Sequence, residues 1–457
     1  MIFNQFAFLV VFLPLVLIAF YVPQFHRIRI HMLVFASLIF YGISGLEHAL
    51  GLVASIIWVF MVARSPRIVG NKGRLALSIL LPALALFYYK YLGFFVSSLS
   101  GQEVGREGET FNLFGDVILP AGVSFFTFQL VGFSIDRYRG SLSEFPDFGR
   151  FALYISFFPQ LVAGPILRYQ QVASTLSGLT EFRLYPEDVS RAIGYICLGL
   201  AAKVLIADTL GSYQVAYINQ PGSLSSISAF YVVFAYSFQI YFDFYGYSLI
   251  AIGLGQLFGF KFPMNFRLPY EAKNPREFWR RWHISLSYWI RDYLYLPLGG
   301  NHQYARNILF VFAVCGLWHG AGWTFVIWGL YHGLLVLTFH FGNNLWNALP
   351  AIIQCTLTFG LVSLGWTLFI FDFAGIKAFL LSLIGRSEVG VPNPDLEAWM
   401  GLLLATVVCF GVRFERVAEN LTGNTVAVTV RTIMFAILFA ATLLFLDRSQ
   451  TFIYFRF

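Results

Sequence analysis

Long apolar runs separated by short polar stretches fill this chain from end to end. The first covers about Phe6–Val22, followed by runs at about Ile30–Ser44, Ala49–Val62 and Leu75–Leu99. Such lengths suit helices crossing a hydrocarbon core of about 30 Å. The short alternating segments that would build a transmembrane barrel do not occur.

From Leu119 onward the pattern becomes irregular. Leu119–Gly140 carries Pro120, Gly122 and Gly132 inside an apolar run, and Phe157–Gln171 is broken twice by proline. A bilayer tolerates such interruptions only where the backbone is buried in protein or lines a cavity, so re-entrant or broken helices around an internal tunnel are expected. Further helices are predicted at about Val189–Ile206, Ile227–Phe258, Ile352–Phe371, Met400–Val412 and Arg431–Leu446, with a shorter one near Ile376–Ile384. Asn307–Phe341 is too long for one simple span and is studded with glycine. The reading is an all-α, polytopic membrane protein of about eleven spans plus re-entrant or interfacial helices, forming a single domain over 1–457.

Composition agrees with this class. The chain is 58% hydrophobic and 12% charged, against roughly 25% charged in soluble domains. Its net charge of +7 is spread over connecting segments, which reads as a positive-inside signal and excludes nucleic acid as the partner; the partner is the lipid bilayer. The first apolar run has no basic residue ahead of it, and Arg27 and Arg29 follow it. The N-terminus is therefore expected outside the cytoplasm, with no cleavable signal. The next connections alternate: acidic at Glu47, basic at Arg64–Arg74, acidic over Gly101–Asp116. The 4 cysteines stand singly in apolar runs, with no metal-binding spacing.

Candidate chemistry concentrates in Asn274–Gly322, which begins NPREFWRRWHISLSYWIRDYLYLPLGGN and ends in CGLWHGAGW. Arg276, Arg280, Arg281, Arg291 and Arg306 lie among tryptophans and tyrosines, as in a segment at a membrane surface. They either anchor at lipid phosphates or draw a polyanionic donor to a cytoplasmic mouth. His283 sits within an amphipathic stretch, and His319 lies deep in an apolar helix. An ionisable group there is functional by default expectation. Burial would keep the His319 imidazole neutral, able to take a proton from a hydroxyl as a general base must. Gly316 and Gly320 share a face on which another backbone could approach. His332, 13 residues beyond His319, would lie about 220° round a continuous helix and so reads as structural. There is no GxSxG elbow, P-loop or HExxH motif.

The blocks LPAGVSFFTFQLVGFSIDRYRG, FFPQLVAGPILRYQQ, GLAAKVLIADTL, YFDFYGYSLIAIGLGQLFGF, FWRRWHISLSYWIRDYLYLPLGGN, GLWHGAGWTFVIWGLYHG and FIYFRF resemble the membrane-bound O-acyltransferase (MBOAT) family, in particular its alginate O-acetylation branch. The resemblance covers nearly the whole chain. It implies His319 as catalytic residue and His283 as a second functional position. It also implies that Arg168 in GPILRY and Asp208 in VLIAD matter for activity. Arg280, Arg281, Trp282 and Trp318 join them as candidates for donor binding. The resemblance further implies acetyl-coenzyme A as a cytoplasmic donor substrate, no metal, an SGNH-type acyltransferase partner and an extracytoplasmic glycan acceptor, at a bacterial inner membrane. Ala202 stands where a second lysine is common, and Arg456 where glutamine is common. Pro297–Asn301 favours O-acetylation over the D-alanylation branch. Outside the resemblance, broken helices with buried Lys203 and Asp243 also fit a proton-coupled carrier, although two corresponding halves are not visible; a structural subunit of an envelope complex is the third possibility.

Overall fold

The structure, a computed structural model, describes residues 3–100, 119–419, 425–448 and 450–453. The described residues are helical and contain no strand, as the apolar runs require. Six helices are long and apolar enough to cross a membrane: Leu46–Arg64, Lys72–Ser100, Pro186–Asn219, Ser226–Leu257, Trp323–Phe341 and Ala351–Ile370. Counting the bent pair Ala7–Tyr21 and Gln24–Gly42 as one span makes seven. The multi-pass helical class holds; among the described residues six or seven helices reach spanning length, against the eleven read from the apolar runs. Phe373–Leu383, Leu396–Gly411 and Val428–Leu444 are apolar but shorter than a span. The acidic stretch Gly101–Asp116 lies outside the described residues.

The chain divides into two compact units, each assembled from three stretches of sequence. One comprises Met1–Leu198, Tyr247–Pro263 and Glu415–Ala436. Buried Arg29 organises part of it: its guanidinium donates to the carbonyls of Phe20 (3.0 Å), Leu179 (3.2 Å) and Phe182 (2.9 Å) and lies over the Phe20 ring. One buried cation thus ties the end of the first helix to the chain around Leu179–Phe182. The irregular Phe157–Gln171 region is a four-residue helix, Phe158–Leu161, then a buried turn and a short irregular stretch up to the helix Tyr169–Gly178. Tyr154 Oη donates to the Leu167 carbonyl at 2.8 Å and holds this chain in place ahead of Arg168.

The second unit comprises Gly199–Gly246, Met264–Phe414 and Ile437–Phe457. Its centre is a helical hairpin, Tyr304–His319 against Trp323–Phe341. Two glycines let the helices cross with their backbones in contact: a Cβ on Gly316 would overlap the Phe325 carbonyl oxygen, and one on Gly329 the Phe312 carbonyl oxygen. The small face read at Gly316 is thus used, by the returning strand of its own hairpin.

Candidate active site

The arginine-rich segment folds as two short helices, Pro275–Arg281 and Ile284–Ile290. The first starts where Asn274 accepts the Glu277 N–H at 2.8 Å, Pro275 occupies the first helical position, and Glu277 accepts the Lys273 N–H at 2.9 Å. Those are strong N-terminal signals, satisfying donors that a helix start leaves open. It stops at Trp282, which is fully buried among Tyr241, Phe266, Tyr270, Phe278 and Trp366.

Between the two helices stands His283, with φ +43°, in the left-handed region. A non-glycine residue held there costs on the order of 1–3 kcal/mol and persists only where its surroundings dictate it. Backbone pairing dictates it here. Arg267 N–H donates to the Arg281 carbonyl and Ile284 N–H to the Asn265 carbonyl, both at 2.9 Å. Asn265 Oδ1 also accepts from the Ser285 hydroxyl (2.8 Å) and backbone (3.1 Å). The strained turn aims the ring inward, where it is 0% exposed.

His319 is the last residue of its helix and 2% exposed. The two imidazoles lie 6.2 Å apart, centroid to centroid. Trp318 touches both, at 5.8 Å from His283 and 4.8 Å from His319. Trp328 and Phe369 meet His319 edge to face at 5.0 and 5.6 Å, and Phe244 meets His283 at 4.7 Å. No charged residue is among these ring contacts. Burial pushes the His283 imidazole, which lies outside the six candidate spans, down to about 3.

His332 reaches its place by a route other than the one expected. The rotation argument assumed one helix through Asn307–Phe341, but the chain breaks at Gly320–Gly322 and turns back. His332 therefore returns alongside, and its ring lies 4.8 Å from Trp328, the same indole that meets His319. The Gly-Ala-Gly between two tryptophans was the available signal for this break.

The remaining candidates separate. Arg280 is exposed. Arg281 pairs with Glu277 at 2.5 Å and donates to the carbonyls of Arg267 and Leu268. Arg276 donates to Tyr304 and meets His340, Arg291 pairs with Asp292, and Arg306 donates to Asn307. Asp208 is buried and ion-paired with Lys203 at 2.5 Å. Arg168 belongs to the first unit, half-buried at the start of the Tyr169–Gly178 helix.

A family model described as MBOAT, membrane-bound O-acyltransferase family, matches residues 83–350, more than half of the chain and both histidines. The chain belongs to this family. Among MBOAT relatives, a peptidoglycan O-acetyltransferase of Helicobacter pylori is 34% identical over 415 residues, covering 81% of this chain and 77% of its own. A probable alginate O-acetylase AlgI of Pseudomonas syringae is 36% identical over 382 residues, covering 81% and 72%. A teichoic acid D-alanyltransferase of Streptococcus thermophilus is 31% identical over 228 residues, covering 47% and 55%.

Proposed function

We propose that this MBOAT protein moves an acetyl group from cytoplasmic acetyl-coenzyme A to an extracytoplasmic glycan, through an SGNH-type partner. The observation that carries the reading is the pair His283–His319, 6.2 Å apart and enclosed by aromatic rings, inside the segment that the family model covers. His319 takes the proton of an acceptor hydroxyl as its oxygen attacks the thioester carbonyl carbon. His283, kept neutral by burial, donates an N–H to the carbonyl oxygen as negative charge develops there. Collapse of the tetrahedral intermediate breaks the C–S bond, and the proton held by His319 leaves with the thiolate sulfur. The dry aromatic surroundings strengthen both interactions. Arg280, exposed at the end of its short helix, attracts the phosphates of the donor; Trp282 and Trp318 line its path, while Asp208 and Arg168 support the scaffold.

Acetyl transfer is preferred to D-alanyl transfer because the relatives named for O-acetylation match over 81% of the chain and the D-alanyltransferase over 47%. The reading places the protein in a bacterial inner membrane, N-terminus outside and the basic loops inside; labelling single cysteines in those loops tests the orientation. The deciding experiment incubates purified protein in liposomes with acetyl-coenzyme A labelled in the acetyl group. Protein-dependent thioester cleavage with label passing to an acceptor is expected. Retention of all label on coenzyme A, with transfer from a D-alanyl carrier thioester instead, would overturn it.

A further inference from the structure

Lys203, Asp208 and Asp243 form a buried ionic cluster that takes no part in the proton transfers proposed for His283 and His319. In an α-helix, residues five apart lie about 140° round from each other. Here the Ala201–Asp208 stretch is a π-helix, whose wider turn brings positions 203 and 208 onto one side. Lys203 Nζ donates to Asp208 at 2.5 Å and meets Asp243, from the Ser226–Leu257 helix, at 2.8 Å. The approach depends on Gly246: a Cβ there would stand 2.6 Å from the Gly199 carbonyl oxygen and 2.9 Å from the Lys203 backbone nitrogen.

The bonds that leave this cluster go to one stretch of backbone. Lys203 donates to the Gln450 carbonyl at 3.0 Å, and Asp243 Oδ2 accepts the Ile453 N–H at 2.7 Å. The ammonium thus donates to Asp208 and to the Gln450 carbonyl, and its third contact is the ion pair with Asp243. Phe452 between these anchors is 1% exposed, with its ring 5.6 Å from Phe244. Phe244 in turn stands edge-on to His283 at 4.7 Å. Burying ions adds little net stability, because desolvation offsets their attraction; such clusters are better suited to fixing one arrangement among several.

We propose that Lys203, Asp208 and Asp243 form a seat for the segment 450–453, and that the seated segment, through Phe452 and Phe244, positions His283. Lys203 and Asp243 are then positioning residues for the reaction. The kinetic consequence rests on the acyl-transfer reading; the seat does not.

The test uses the full chain in detergent, with gel filtration to select folded protein. Ile453→Pro removes one anchoring N–H, Asp243→Asn removes the charge at similar size, and Phe452→Ala keeps both backbone bonds while deleting the ring. Amide hydrogen exchange reads release of the segment. Modification by diethyl pyrocarbonate, located by mass spectrometry, reads protection of His283. Ile453→Pro and Asp243→Asn should each raise exchange and His283 modification about tenfold or more. Phe452→Ala should raise His283 modification with exchange little changed, and Phe452→Tyr should restore protection. In the acetyl-transfer assay kcat should fall while KM for acetyl-coenzyme A changes little. Unchanged exchange in both backbone-anchor variants would remove the seat. Release of the segment with His283 still protected would remove the positioning role. If wild-type protein transfers no acetyl group, the acyl-transfer reading fails, and exchange and modification still decide the seat.

Discussion

Two groups of ionisable side chains are buried in the same unit, and they solve the problem of burial in opposite ways. Around Lys203 each charge meets an opposite charge, at 2.5 and 2.8 Å, and the last donor of the ammonium reaches a backbone carbonyl. Around His283 and His319 the ring contacts are aromatic: Phe244, Trp318, Trp328 and Phe369. The first arrangement holds its charges and fixes structure. The second keeps the His283 imidazole neutral and holds the two rings near one another, which suits groups that must gain and lose a proton. One cation shared by two carboxylates ties elements together, whereas two imidazoles among aromatic rings are placed as the proposed chemistry requires.

Substitution separates the two most sharply at Lys203. Lys203→Met leaves two carboxylates buried without their cation, a loss of about 3–5 kcal/mol. The variant should fail to accumulate as monodisperse protein, measured by fluorescence-detected gel filtration. Normal yield and melting temperature would erase the contrast.

A smaller effect is expected at His283. His283→Gln should stay folded and lower kcat by about 10- to 100-fold, or roughly 1.4–2.7 kcal/mol of barrier, if the ring polarises the carbonyl. The same group carries a pH signature. Its imidazole sits at about 3 in the folded protein against an ordinary 6.5. Between those values the unfolded chain binds a proton that the folded one does not. Stability is thus complete above about pH 6.5 and is lost as pH falls from there toward 3, by up to about 1.4 kcal/mol per pH unit. Thermal unfolding in detergent across pH 7 to 5 should show this slope, reduced in His283→Gln.

The arginines give the smallest effects, and they should split. Arg280→Gln should raise KM for acetyl-coenzyme A a few-fold, less so in high salt, because an exposed charge acts through solvent. Arg281→Gln should leave KM alone and cost at most about 1 kcal/mol of stability, since its Glu277 partner is also partly exposed. Equal KM shifts would mean that the ion pair opens to receive the donor.

Much of this contrast was legible before any coordinates. The helical class followed from run length, and the positions of His283 and His319 from polar residues where hydrocarbon was expected. What the residues alone did not reveal were relations created by breaks and distortions. The number of spans was not legible because an apolar run reads the same whether its helix is long or short, as at Phe373–Leu383. The rotation argument for His332 took a hairpin for one helix, although its ring packs against Phe278, Trp279, Trp328, Tyr331 and Trp366. The Lys203–Asp208 contact was not legible because their spacing suits a π-helix rather than an α-helix, and Asp243 reaches them from a different helix. Arg280 and Arg281 are adjacent in sequence; the i,i+4 spacing already offers Arg281 the Glu277 carboxylate, and only the fold adds the carbonyls of Arg267 and Leu268.

The central claim is that His319 acts as a base rather than as packing, and replacing it by glutamine tests that claim most directly. Glutamine keeps hydrogen-bonding capacity and similar volume but cannot accept the acceptor's proton. General-base assistance typically contributes 10²–10⁴-fold. Turnover of labelled acetyl-coenzyme A in liposomes, normalised to monodisperse protein, should therefore drop at least about a hundredfold in His319→Gln, with donor binding nearly unchanged. Near wild-type turnover in that variant would contradict the assignment.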